Sequence, residues 1–367
     1  MSYRLGRFSA ASIGALVVGG ALLIVGAVRT PREASVAFLV AYAAALSVVL
    51  GVLAMTMIAH LTAATWFRPF RPIAMRVLRA LPALACLGFL LLLALPTFPW
   101  AFEESQISTT DVARYLNPPF FVVRFVIYWA AWLLIARALH RADQLATSVD
   151  VERVAARHRR VSVIGLLTLG LTMTFAAFDW MMSLTPDWSS TIYGVIWFAG
   201  GMIGALALLA VLASRSVDQV TYDFDALGKL LLTFILFWLY TGFAQYIVIW
   251  SGGLPREVTW YVARTRGGWG ALASVLLFAG FAFPFLLLIV RVIRQSTAFA
   301  VAIGVALLVV HYLDTLWIVA PGLISATWWS LVLAIAALAV VLSIVIGTAS
   351  MHGRRSADAL VASAHLY

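Results

Sequence analysis

The stretch ASVAFLVAYAAALSVVLGVLAMTMIAHLT, Ala34 to Thr62, holds no lysine, arginine or carboxylate in 29 consecutive positions. About 20 mostly apolar residues suffice to cross the hydrocarbon of a bilayer, so this run reads as a transmembrane helix with length to spare. Working outward, runs of the same kind recur near 9–28, 78–97, 119–140, 160–182, 190–213, 226–250, 268–291, 297–320 and 327–349. Every backbone group in lipid must be satisfied within its own segment, and the alternating ten-residue pattern of an outer-membrane barrel is missing. The expected fold class is an all-α membrane protein of ten transmembrane helices.

Composition points the same way: 63% of the 367 residues are hydrophobic, 11% are charged, and the mean hydropathy is +1.00. A net charge of +10 would suggest nucleic acid in a soluble protein. Here the basic residues sit in short loops between apolar runs, which is the signature of topology and excludes a nucleic-acid footprint. Placing the N-terminus in the cytoplasm puts 18 of the 25 basic residues on that side, from Arg4 and Arg7 to Arg354 and Arg355, and 7 on the other. Both termini are therefore expected inside. The single cysteine, Cys86, lies in an apolar run, which excludes disulfides, cysteine-ligated iron–sulfur clusters and a C-x-x-C-H haem attachment within this chain. The first run reads as a retained helix rather than a cleaved leader, because no small-x-small site clearly ends it and nine more runs follow.

A charge at membrane depth costs at least about 2.5 kcal/mol, so such residues face a cavity or a partner and often mark a pathway. Asp179 has Thr172, Thr174 and Ser183 along its own helix, hydroxyls that could solvate a proton route; the plain alternative is a hydrogen bond to a neighbouring helix. Asp314 follows His311 by three residues, so both share a helix face, suited to proton exchange or to a static Asp–His bond. His60 stands near the cytoplasmic end of span two, roughly 15–20 Å from His311 in depth at 1.5 Å per residue, which argues against a haem held between them. Arg124, one turn into span four, either snorkels outward or pairs with an acid such as Asp179. Gln245 and Tyr240 on span seven are expected to add polar atoms to the interior, and Lys229 stands at that span's cytoplasmic end. The proton-path candidates are thus Asp179, Asp314, His311, His60, Lys229 and Gln245. No metal set, nucleophile–base pair or phosphate loop is present; Gly200-Gly201-x-x-Gly204 reads as a helix contact face.

Two loops on the non-cytoplasmic face differ in kind from the rest. The first, Pro96 to Pro119, carries Trp100, Glu103, Glu104 and Asp111; the second, Trp250 to Trp269, carries Pro255, Glu257, Trp260 and Tyr261. Interfacial aromatics anchor helix ends, yet together these loops also offer a landing surface, with Trp250, Glu257, Trp260 and Trp269 as docking candidates. A weak internal echo links Phe178-Asp179-Trp180 at the end of span five to Leu313-Asp314-Thr315-Leu316-Trp317 in span nine. It divides the chain into a first helix (1–33), a four-helix unit (34–189), a second four-helix unit (190–322) and a last helix with its tail (323–367).

The run Phe178-Asp179-Trp180-Met181-Met182-Ser183-Leu184-x-Pro186-x-Trp188-x-Ser190-Thr191-Ile192-Tyr193-Gly194 resembles the polysulfide-reductase NrfD-like membrane subunits of alternative complex III, the bacterial quinol:electron-acceptor oxidoreductase. The resemblance continues through Asp225-x-x-Gly228-Lys229-Leu230, Phe243-x-Gln245-Tyr246-x-x-Ile249-Trp250-Ser251-Gly252-x-Leu254-Pro255-x-Glu257, Gly267-Gly268-Trp269-Gly270 and Asp314-x-x-Trp317-x-x-Ala320-Pro321. It covers about 175–321; the first half agrees only in its span pattern. It implies two four-helix bundles with a flanking helix at each end, in the bacterial inner membrane. The chain looks most like the smaller, second quinone-associated subunit. Implied partners are a sister NrfD-like subunit, a periplasmic iron–sulfur protein, multihaem and monohaem cytochromes c, and lipids. Haem c and iron–sulfur clusters would sit in those partners only, and the small molecule implied is a quinone or quinol. The family's better-established quinol pocket belongs to the sister subunit, while proton conduction is proposed for both, with Asp179 and Asp314 as the acids. Two other readings stay open from the residues alone: a proton-coupled secondary transporter, and a structural anchor whose acids only bond helices together.

Overall fold

The computed structural model describes residues 10–101, 110–145, 151–215, 221–324 and 327–350. The chain is an all-α, multi-span membrane protein. In order the helices are α1 (Ala10–Arg29), α2 (Pro31–Leu61), α3 (Arg71–Leu78), α4 (Leu81–Leu93), α5 (Thr110–Tyr115), α6 (Pro118–Leu145), α7 (Val151–Trp180), α8 (Tyr193–Ser214), α9 (Phe224–Gly252), α10 (Pro255–Thr265), α11 (Gly268–Val275), α12 (Phe283–Ile289), α13 (Arg291–Gln295), α14 (Thr297–Val319) and α15 (Trp328–Ser350). Among the described residues, 9 helices are long and apolar enough to cross a membrane, and 10 if a pair bent by 41° counts as one span. That pair is Thr65–Leu78 with Leu81–Leu93: the expected third span starts at 78, but the chain already turns helical at Thr65 and breaks before Pro82. Glu103, Glu104 and the terminal arginines lie outside the described residues.

Two helices form the axis. α2 is buried along nearly its whole length, as is α8 along most of its own, and the two pack on each other. Small residues allow this. A Cβ on Gly201 would come within 2.6 Å of the Ser47 carbonyl oxygen, and one on Gly51 within 2.5 Å of the Gly201 carbonyl oxygen, so only glycine lets these backbones meet. The other long helices wrap this axis: α7 packs on α2 and α14 on α8, while α1 and α15 pair with each other and lie against α2. Both acid-bearing helices, α7 and α14, thus brace the axis and end on the same side of the bundle, with Asp179 and Asp314 near their C-termini.

α6 and α7 run to 28 and 30 residues, about 42–45 Å at 1.5 Å per residue. They overshoot a hydrocarbon core of about 30 Å and carry a polar cluster on the overhang. Span eight is interrupted instead: Leu276–Ala282 is π-helical between α11 and α12. Pro284 has no N–H to give the Gly280 carbonyl four residues back, and the Phe283 N–H reaches the Phe278 carbonyl in the wider register.

Candidate functional site

Asp179 is wholly buried and gripped from three directions. Arg124 on α6 donates Nε to Oδ2 at 2.7 Å and Nη2 to Oδ1 at 2.9 Å, the forked geometry in which a guanidinium matches a carboxylate. The Tyr128 hydroxyl, one turn on, donates to Oδ2 at 2.7 Å. Arg124 also donates to the Tyr115 carbonyl at 2.9 Å and lies 4.0 Å from the Tyr115 ring centroid. Trp180 beside it fits among Tyr42, Phe125, Tyr128 and Trp132. Asp179 is thus half of a buried ion pair that fastens α6 to α7.

Asp314 has no such partner. Its one described hydrogen bond comes from Trp238 Nε1 on α9, at 3.1 Å to Oδ2, and it lines a slot of about 390 Å³ between α8, α9, α10, the π-helical segment and α14. The slot walls are mostly apolar and aromatic: Tyr193, Ile196, Trp238, Phe243, Tyr246, Trp260, Leu276, Leu277, Trp317 and Ile318 among them. Phe243 and Leu277 line it and are also 57% and 48% exposed on the outer surface. The mouth therefore opens sideways, between α9 and the π-helical segment, toward the lipid.

Polar atoms are few and placed. Gln245 accepts from Ser190 Oγ at 2.6 Å and donates to the Tyr261 hydroxyl at 3.0 Å. Burial raises the Tyr261 hydroxyl to about 12, against a lowering by the Gln245 bond, so it stays a neutral donor. α10 roofs the slot. It is started by Pro255 at N1, with Glu257 in its first turn, a placement that suits a helix N-terminus. Arg264 ties the roof down, donating to the Trp260 carbonyl at 2.9 Å and the Ile318 carbonyl at 2.6 Å, with its guanidinium 3.4 Å from the Trp260 ring centroid. Burial pulls this group down to about 9, partly offset by Tyr193 and Tyr261. Trp260 in turn stacks on Trp188, 4.3 Å between centroids and 9° between planes.

A scan against family models matches none, and a search of curated proteins finds no match. The site must be read from its own geometry.

His311, one turn before Asp314, faces α2: its Nε2 lies 2.8 Å from Ser47 Oγ and 3.3 Å from the Ala44 carbonyl. Its Nδ1 is buried without a hydrogen-bond partner. His311 and Asp314 both line a small cavity of about 20 Å³ walled by Gly200, Gly280 and Trp238, room for one water molecule. The remaining candidates lie elsewhere. His60 pairs with Ser162, Nδ1 to Oγ at 3.3 Å, about 20 Å along α2 from Ser47, and the eight residues between Ser47 and Thr56 are all apolar. Lys229 is 63% exposed and bonded to Asp225 at 2.6 Å, outside the interior. Tyr240, expected inside, is 70% exposed, because position 240 falls on the face of α9 opposite Trp238, Gly242 and Gln245. Of the docking candidates, Trp250 is 54% exposed and Glu257 and Trp269 are half-buried. Trp260 is 6% exposed, taken up by the roof packing and not free to receive a partner.

Trp238, Ser47 and Arg264 complete the site without having been singled out from sequence, and so do Tyr261 and Ser190, which the sequence marked only as part of a loop and of the quoted run. Positions 238, 242, 245 and 246 do fall on one helical face, which was the available signal for Trp238.

Proposed function

We propose that the chain is a membrane subunit of a quinol-oxidising complex of the alternative complex III kind, and that the slot receives a quinol head group with Asp314 as its proton acceptor. The observation that carries this reading is a buried carboxylate, held by a single Trp238 bond, facing an aromatic slot whose mouth opens laterally to lipid. A second circumstance supports it. Six residues of the quoted resemblance, Tyr193, Phe243, Gln245, Tyr246, Asp314 and Trp317, line this one slot, although they are spread over 125 positions of sequence.

Quinol oxidation yields two protons and two electrons. In this reading a quinol hydroxyl donates to the Asp314 carboxylate, and Gln245 and Tyr261 orient the far side of the ring. One quinol proton goes to Asp314 and the other, through the one-water cavity, to His311 Nδ1, while haem c and iron–sulfur centres of partner subunits would take the two electrons. Asp179, held by Arg124, serves to fix the bundle beside the slot. Dry, apolar walls keep the bound ring from bulk water, where proton and electron release would lose their order.

Two measurements test this. Extraction from native membranes in mild detergent should bring c-type haem absorbance down with the chain; a colourless monomer sinks the complex. Within the intact complex, Asp314→Asn should lower the quinol oxidation rate at least about a hundredfold, the low end of what a positioned proton acceptor contributes, with haem content unchanged. An unaltered rate removes the slot from the reaction. A proton-coupled transporter is the second reading, favoured by the π-interrupted span beside an acid. It predicts substrate-dependent proton uptake by the chain alone in vesicles.

A further inference from the structure

The polar cluster at the other end of the bundle has no part in the slot. There α2 ends, the 3₁₀ turn Thr65–Phe70 and α3 fold beneath it, and α7 begins, enclosing a cavity of about 480 Å³ lined by His60, Arg68, Arg71, Glu152, His158 and Arg159. Five alanines and Phe67 form the remaining wall.

Its floor is built, not merely basic. Arg71 donates to Asp143 Oδ1, and His158 Nε2 lies 2.8 Å from the same oxygen. Nδ1 of His158 faces the Val154 carbonyl at 3.1 Å, and the ring is 1% exposed. Both nitrogens thus meet acceptors and the ring is locked. His60 stands against it, 4.5 Å between centroids. With Nδ1 held by Ser162, its Nε2 is buried and has no hydrogen-bond partner. The cavity is lined by three arginines and one carboxylate, Glu152, with Asp143 already taken up by Arg71 and His158 in the floor, which leaves positive charge before either histidine is counted.

We propose that this cavity binds a phosphate group, supplied by the phosphodiester of an anionic lipid or by free phosphate. A guanidinium fork matches two oxygens of a phosphate, which Arg68 and Arg159 at the rim provide. His60, whose ring lines the same wall, keeps its Nδ1 bonded to the Ser162 hydroxyl. The alanine wall leaves space for what the phosphate is esterified to, and the cavity lies where spanning helices end, at headgroup level.

The full chain, purified in detergent and stripped of lipid, is titrated with phosphatidylglycerol, with inorganic phosphate and with uncharged diacylglycerol, reading the thermal midpoint and bound phosphorus per chain. Phosphatidylglycerol is expected to raise the midpoint and to be retained at about one phosphorus per chain, since the cavity offers one phosphate cradle. Stabilisation by inorganic phosphate without lipid assigns the same cradle to the free anion. Arg68→Gln should weaken either binding about tenfold, the loss of one charge-assisted contact, and Glu152→Gln should tighten it. No phosphorus bound by the wild-type chain, equal stabilisation by diacylglycerol, or an affinity unmoved by Glu152→Gln overturns the proposal. Should Arg68→Gln fail to fold, Glu152→Gln decides alone.

Discussion

Two buried aspartates on equivalent helix ends have opposite surroundings, and the difference sets what each can do. Asp179 receives three charged or hydroxyl donors, so removing Arg124 leaves an uncompensated carboxylate in the interior. Arg124→Leu should cost about 3–5 kcal/mol of stability, whereas the double replacement Arg124→Leu with Asp179→Leu should recover most of it. Chemical unfolding in detergent compares the two, and equal losses would mean the pair is not a unit. Asp314 keeps one weak donor and an open side, so its replacement should leave folding intact. Gly242 offers a finer probe. A Cβ there would meet nothing within 4 Å, yet the residue lines the slot. Gly242→Leu should therefore plug the space without a folding defect, read as lost affinity for a quinone analogue at an unchanged thermal midpoint. The existence of both acids could be read from sequence because charges inside apolar runs are conspicuous. An Arg124–Asp179 pair was one of two readings the sequence left open; the choice between them, and the Trp238 bond to Asp314, could not be read, since the partners lie 55 and 76 positions away.

Among the elements, span eight and α10 shape the slot most. Pro284 fixes the wide register of Leu276–Ala282, which places Leu276 and Leu277 on the wall. Pro284→Ala restores a donor for Gly280, and the segment should rewind toward α-helix and turn those two residues. The expected outcome is altered ligand affinity with the helical content by circular dichroism unchanged. At the axis, Gly201→Leu forces a side chain against the Ser47 carbonyl. It should cost at least the roughly 1–3 kcal/mol of ordinary overpacking, while Gly14→Ala, with nothing within 4 Å, should be silent in the same melting assay. α10 went unread as a helix because its polar composition made it look like a loop, although Gly253 in the left-handed region at φ 62° followed by Pro255 is the stop-and-start signal of two adjoining helices. The long apolar runs, in contrast, declared themselves, because twenty residues without charge admit few other structures.

For the molecule as a whole, the distribution of arginine and lysine predicts both termini in the cytoplasm, which puts the slot end outside and the phosphate cradle inside. Single cysteines introduced on a Cys86→Ala background, at Thr62 and at Gly253, should react with an impermeant thiol reagent from opposite sides of sealed inverted vesicles, Thr62 first; the reverse order inverts the topology. Span order was legible, the bent third span apart, whereas the way α2 and α8 became the axis was not, because uniformly apolar helices carry no stripe to say which face meets protein. That axis has its own consequence. α2 touches protein on every side, so its amides are shielded twice, by the helix and by the sheath around it. Isotope exchange along Val40–Leu53 should be the slowest in the chain and indifferent to the choice of detergent, while the outer ring responds to each change of solubilising agent.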